Sequence, residues 1–466
     1  MSYQVLQHID KNKIFIVNRS EVEGRLDPKM ALYNKKVLHA LYPMVKLKHL
    51  LLEKPQYGAN EAGIIRENNI QPRYIRITDI DENGLISANE LGVTVAYVEE
   101  KYILNENDIL IARSGATVGK AYIHKELPYT CLYAGYLLRF IVNPNKILPD
   151  YLFAYTQLNS YKEWISAIQR PSAQPNINAE EYQSLEIPLP DLDKQREIVE
   201  YINEAYRKKQ EKDREAKQLL DNIDDCLLKE LGITIPDVNN DINNRMFVIN
   251  KKDLIGRYTP SIYKNAISLK SELYNNILLS HVAYINPHTK FPQTGQEMNI
   301  SFVPMESVNE TYAEIENYKN CTIDDSKGFT RFQEGDLLWA KITPCMENGK
   351  SSIAQNLTNG YGCGSTEFHV IRPKNNSIMV EFIHSILHMK LVRETAKLYF
   401  GGSAGQQRVT SDFLENMNVP LPLIDKQREI VNCISTMRNK AKRLQEEGKV
   451  ILENAKRDVE RMIIGE

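Results

Sequence analysis

The chain has 466 residues, 42% of them hydrophobic and 25% charged, with a formal net charge of −2. This is the profile of an ordinary globular protein and excludes collagen-like, disulfide-scaffold and disordered classes. It also excludes a uniformly basic surface, so any affinity for nucleic acid has to come from local clusters.

Residues 1–40 form an opening segment that contains FIVNRSEVEGRLDP at 15–28. It has no basic stretch leading into an apolar one, so no secretory signal is expected. Residues 41–190 read as a first globular domain. Tyr74–Ile80 alternates as a β-strand does and stops before an Asn83-Gly84 turn. NENDILIARSGATVGKAYI at 105–123 adds strand signals around a Gly-Lys turn, and LPDYLFAYTQLNSYKEWISA at 148–167 is helix-like. About 150 residues suffice to bury a core. IPLPDLDKQREIV at 187–199 closes the domain. Pro190 cannot lie inside a helix, so it marks a helix start, and Asp193 suits an N-cap or first turn. A long helix is expected over 191–232, with Ile198, Ile202, Ala205, Ala216, Leu219 and Ile223 along one face and Gly232 at its end.

The same order then recurs 232 residues later. A linker and second opening segment occupy 233–269, including FVINKKDLIGRYTP at 247–260. A second domain spans 270–422, with Phe302–Glu306, QEGDLLWAKITPCMENGKSSI and IMVEFIHSILHMKLVRETA as counterparts of the first. VPLPLIDKQREIV at 419–431 matches 187–199 at ten of thirteen positions. The last helix, 423–466, carries Ile430, Ile434, Met437, Ala441, Leu444, Gly448, Ile451 and Ala455 at alternating spacings of four and three, a heptad seam. Two equal helices with matching seams and no third partner most simply pack on each other. The alternative is that each packs only on its own domain. A helix of this length reaches ~58 Å at 1.5 Å per residue. The expected fold class is therefore α+β. Two repeated α/β domains are joined by two long helices in an antiparallel coiled coil, with a pseudo-twofold repeat of 232 residues.

Catalytic motifs fail on inspection. Gly115–Lys120 is one residue short of a P-loop and lacks the following Ser or Thr. Gly401–Gly405 matches GxSxG, but no histidine follows residue 388, so the order that the hydrolase triad needs is absent. His384 and His388 have zinc-compatible spacing without a third ligand nearby. Glu215-Ala216-Lys217 and Glu447-Gly448-Lys449 resemble the tail of a nuclease motif but sit inside the long helices. Asn143-Pro144 and Asn286-Pro287 lack the continuation of an adenine methyltransferase motif. The 6 cysteines are scattered without a CxxC pair, which suits a reducing, cytoplasmic setting. Phosphate contacts would have to come from Arg113, Lys120, Arg139 and Arg170, or from Lys341, Lys350, Arg372 and Arg408.

The duplicated Pro-Leu-Pro…Asp-Lys-Gln-Arg-Glu-Ile-Val segment, each copy closing a domain with Asp-(Ile/Leu)-Leu and Gly-Lys elements, resembles the specificity (S) subunit of type I restriction-modification systems. The resemblance covers nearly the whole chain. It implies two target recognition domains, each reading half of a bipartite site in double-stranded DNA. It also implies a non-catalytic chain without a cofactor of its own. Two modification subunits, AdoMet-dependent adenine methyltransferases, would dock on the helices, with separate restriction/translocase subunits and no membrane. The opening segment differs from the more familiar members and is similar to those of S-like subunits serving fused methyltransferase-nuclease enzymes. That type II-like system, or a coiled-coil scaffold that reads no DNA, is the alternative.

Arginine pairs bidentately with guanine, and Gln or Asn with adenine. The residues put forward for DNA contact are Tyr74, Arg76, Arg113, Ser114, Thr117, Lys120, Arg170, Gln174 and Asn176. In the second copy they are Lys341, Thr343, Lys350, Gln406, Gln407 and Arg408. Gln174 and Gln406 are equivalent, and a hinge role suits them equally well. The helix-helix interface is expected at Ile198, Ile202, Leu219, Ile223, Ile430, Ile434, Leu444 and Ile451.

Overall fold

The computed structural model describes residues 28–37, 40–86, 90–169, 175–235, 269–292, 298–402 and 406–465. The chain divides into two compact units. One is the chain up to Glu211 together with Glu447–Glu466, and the other is Lys212–Glu446. The divisions fall inside the long helices, so each unit holds one domain and a stretch of both helices. Most of the two opening segments, and Arg170, Gln174 and Ser403, lie outside the described residues.

In the first unit the central strand is Ile109–Ala112, whose four residues are all buried. Such a continuous aliphatic run suits a strand covered on both faces. It pairs antiparallel with Ala121–Ile123 on one side and Leu137–Phe140 on the other, and Gln56–Tyr57 extends the sheet beyond Leu137–Phe140. Helices Pro149–Thr156 and Asn159–Ile168 supply Tyr151, Leu152, Tyr155 and Trp164 to a core shared with Ile109, Ile111, Leu138 and Phe140. The single helix expected over 148–167 is thus two. Leu158 adopts an extended conformation between them while the apolar pattern runs on. A second, parallel pair joins Arg73–Ile75 to Cys131–Tyr133. The strand expected over Tyr74–Ile80 ends early. The Asp79 carboxylate accepts the Arg76 backbone N–H at 2.7 Å and turns the chain into a short 3-10 helix, Ile77–Asp79.

The second unit uses the same parts. Leu337–Ala340, again wholly buried, pairs with Ser351–Ile353 and Phe368–Pro373, and Ala283–Ile285 adds the outer strand. The parallel pair is Asn299–Val303 with Tyr361–Gly364, here widened to four strands by Lys319–Thr322 and Thr330–Gln333. Helices Val380–His388 and Lys390–Lys397 cover the first sheet. His384 and His388 are packed side chains. His384 Nε2 lies 3.1 Å from the Ser351 hydroxyl, and His388 Nε2 lies 3.1 Å from the Glu310 carbonyl. Among the described residues no cluster could hold a metal ion.

The long helices are Leu192–Glu230 and Ile424–Ile464. Within the first unit Tyr201 donates to Asp458 at 2.8 Å, and a Cβ at Gly448 would lie 3.4 Å from Lys209 Cα, so the backbones approach closely there. Ile198 and Ile202 share a core with Leu452, Val459 and Ile463 and with side chains of the domain. Within the second unit Lys426 pairs with Glu230 at 2.8 Å and Lys440 with Glu215 at 3.1 Å, so rising numbers on one helix meet falling numbers on the other. Ile223, Ile430 and Ile434 join that domain's core, while Leu219 packs against Ala216, Ala441 and Leu444. The seam residues therefore serve the helix pair and the domain cores together. Ile451 is half-buried, and its neighbour Leu452 fills the inward position at that turn.

The duplicated segment has a shared device. Gln195 is fully buried; its side-chain oxygen accepts the Leu148 N–H at 2.8 Å, and its amide donates to Lys146 and Pro190 carbonyls at 3.2 and 2.9 Å. Gln427 accepts the Met379 N–H at 2.9 Å and donates to Ser377 and Pro422 carbonyls, both at 2.9 Å. Each glutamine fastens the start of a long helix to the loop that opens the domain's first covering helix. No described helix is long and apolar enough to cross a membrane.

Candidate nucleic-acid interface

The nominated residues that come together do so where the central strand of each unit leaves its sheet. In the first unit, Gly115 N–H donates to the Pro175 carbonyl at 3.0 Å and Ile177 N–H to the Arg113 carbonyl at 2.9 Å. This pairs Ser114 with Asn176. Tyr182, which donates to the Ala112 carbonyl at 2.7 Å, anchors the strand end. The chain then turns through Thr117, which is exposed, to Gly119. Gly119 has φ 89°, and a Cβ there would lie 2.8 Å from Ile165. The Gly-Lys element is thus a hairpin turn pressed by a helix. Arg113 is half-buried, its guanidinium carbon 4.9 Å from the centre of the Tyr57 ring.

In the second unit, Val409 N–H donates to the Lys341 carbonyl at 2.9 Å and Thr343 N–H to the Gln407 carbonyl at 3.0 Å. Lys341, Thr343, Gln407 and Arg408 therefore share one ribbon, with Gln406 exposed at its end. Arg408 is already engaged: it forms two 2.8 Å bonds to Glu367 and donates to the Gln406 carbonyl at 3.0 Å. That guanidinium holds the Glu367 carboxyl below its usual range. The Thr343 hydroxyl donates to Glu347.

Other nominated side chains are occupied inside the fold. Tyr74 is 3% exposed and donates to the Ala59 carbonyl at 2.6 Å, which leaves it no surface for a base. Arg76 is folded back onto Asp79 at 2.9 and 3.2 Å. Lys120 donates to the Ile80 carbonyl. Lys350, in the matching place, donates to the Met305 carbonyl at 3.3 Å and pairs with Glu310 at 3.5 Å. These two lysines pin the hairpin onto the rest of each domain. Arg139 and Arg372 are core ion-pair partners, Arg139 with Asp108 at 3.5 Å and Arg372 with Asp336 at 2.6 and 2.7 Å. Burial raises the Asp108 pKa despite that neighbour. Tyr57 was outside the nominated set, because an aromatic on a two-residue strand has no periodic signal around it.

The chain matches the family described as type I restriction modification DNA specificity domain over residues 64–219 and 233–453, most of its length. The chain belongs to that family. Among curated relatives, it is 37% identical over 166 residues to the EcoEI type I restriction enzyme specificity subunit of Escherichia coli, a match covering 34% of this chain and 27% of the relative. It is 33% identical over 190 residues to the EcoAI specificity subunit of the same organism, covering 40% and 31%. These matches span less than a third of either relative's length. A solved chain from a type I restriction-modification system aligns over 90% of this chain and 95% of its own, with 16% identity and a TM-score of 0.49.

Proposed function

We propose that this specificity-family chain is the DNA-recognition subunit of a type I restriction-modification complex. Each unit reads one half of a bipartite site. The two long helices act as an antiparallel coiled-coil spacer and dock two modification subunits. The chain performs no chemistry itself. The methyltransferase partners bring AdoMet and methylate adenine, and restriction subunits cleave DNA. The observation that carries this reading is the family match across both units. Each unit also places a polar ribbon at the same strand exit, Arg113–Ser114 with Asn176 and Lys341–Thr343 with Gln407–Arg408.

The two ribbons differ in sequence, which supports an asymmetric target. The test is expression of the chain with its adenine methyltransferase partner, followed by mapping of methylated adenines. Methylation at one split sequence, lost when the chain is omitted, is expected. Equal methylation by the partner alone would contradict the reading.

A further inference from the structure

In each domain, the arginines sort by what holds them. In 41–190, Arg66 is fully buried and donates to the Gln71 and Leu91 carbonyls at 2.8 and 3.0 Å. Arg73 is fully buried and donates to the Tyr129 hydroxyl at 3.1 Å. Arg76 and Arg139 are held by Asp79 and Asp108. Arg113 differs. Among the described residues its guanidinium has no hydrogen bond or ion pair, its Nε is unpartnered, and its contact is the Tyr57 ring. Tyr57 is 41% exposed and lines an open cleft with Lys54 and Lys101.

In 270–422, Arg372 and Arg408 are held by Asp336 and Glu367. Arg393 donates to the His388 and Glu347 carbonyls. The remaining arginine is Arg331, on the outermost strand Thr330–Gln333 of its sheet. Its guanidinium carbon lies 4.7 Å from the Phe291 ring centre, and Phe291 is steadied by Tyr361, with ring centres 5.6 Å apart. No ion pair or hydrogen bond engages the Arg331 side chain among the described residues. Arg66 also lies on a ring, 4.2 Å from the centre of Tyr129, but it is fully buried and bonded to two carbonyls. Among the described residues each domain therefore keeps one arginine that is laid on an aromatic ring, not fully buried and unclaimed by an acid or a carbonyl.

An arginine held this way is pre-organised. The aromatic contact fixes the plane of the guanidinium and lowers the entropy lost on binding. The Arg113 Nε is itself buried, so the edge left to a pair of acceptors is that of the two terminal Nη groups; guanine presents O6 and N7 to such an edge in the major groove. An arginine already bonded to a carboxylate would have to break that bond first. We infer that Arg113 and Arg331 are the specificity-determining residues of the two units, each reading a guanine in its own half-site, with Tyr57 and Phe291 as positioning residues. This rests on the DNA-recognition reading above.

The experiment maps adenine methylation by the full complex carrying Arg113→Gln, Arg113→Lys, Arg331→Gln or Arg331→Lys, beside the unsubstituted chain. Lysine keeps the charge and the aromatic contact but not the fork. The Lys variants therefore test base reading even where Gln disturbs folding. Each Arg113 variant is expected to relax one G·C position in one half-site, with discrimination falling roughly ten- to a hundredfold. Each Arg331 variant is expected to do the same in the other half only. Tyr57→Leu and Phe291→Leu are expected to weaken the same positions without abolishing them. If the unsubstituted complex methylates no bipartite sequence, the function reading itself fails. If it does and the variants keep its motif unaltered, this inference fails while the function stands. Uniformly slower methylation with an unchanged motif and a shallower salt dependence would make these phosphate contacts and overturn the assignment to bases.

Discussion

Gln195 and Gln427 show what a repeated residue can be for. Each is fully buried and satisfies one backbone N–H and two carbonyls. Leaving buried backbone groups unpaired costs about 1–3 kcal/mol each. Gln195→Ala should therefore destabilise the first unit by about 2–4 kcal/mol in urea unfolding, and Gln427→Ala the second by a similar amount. A loss within about 0.5 kcal/mol, the range of ordinary surface changes, would contradict the clamp. Two desolvated histidines, His124 buried and His388 half-buried, give a pH dependence. Burial lowers the His124 pKa to about 4 and the His388 pKa to about 3, against an ordinary 6.5. The folded protein thus binds fewer protons than the unfolded chain below pH 6.5. Stability is then lost as pH falls from 6.5 toward those values. For His124 the loss at pH 5 is about 2 kcal/mol. His124→Gln should flatten the fall in melting temperature between pH 7 and 5, and an unchanged slope would contradict the assignment.

At the scale of elements, the pairing of the two long helices can be trapped chemically. Cys226 and Cys433 face each other within the second unit, Sγ to Sγ 3.8 Å. Diamide oxidation should close an intramolecular disulfide that speeds migration on a non-reducing gel, and Cys433→Ser should abolish it. If both thiols remain open to alkylation after oxidation, the helices are not paired in this register. The long helices were legible in the sequence because proline, heptad spacing and terminal glycine all mark them. The short elements were less so. Nothing around Leu158 announces that a helix stops and restarts, since the apolar spacing continues through it. The end of the strand at Ile75 depends on one carboxylate, Asp79, reaching back three residues. Site residues were harder still. Arg139 and Arg372 look like surface cations in one dimension, and it takes the sheet to set Asp108 and Asp336 beside them. Arg331 carries no motif; its interest arises from what surrounds it.

For the whole molecule, the net charge of −2 fits the proposal that nucleic-acid contacts are confined to small regions. Many of its cations are spent internally, on acids and on backbone carbonyls. Among the described residues, Arg113 and Arg331 are not spent in this way. On the proposed function, the two units carry separable sequence specificities. Its most direct test is replacement of residues 41–190 by the corresponding domain of a relative with a different target, followed by methylation mapping of the complex. One half of the bipartite site is expected to change to that of the donor while the other half is retained. A wholly unchanged methylated sequence, or one altered in both halves, would contradict it.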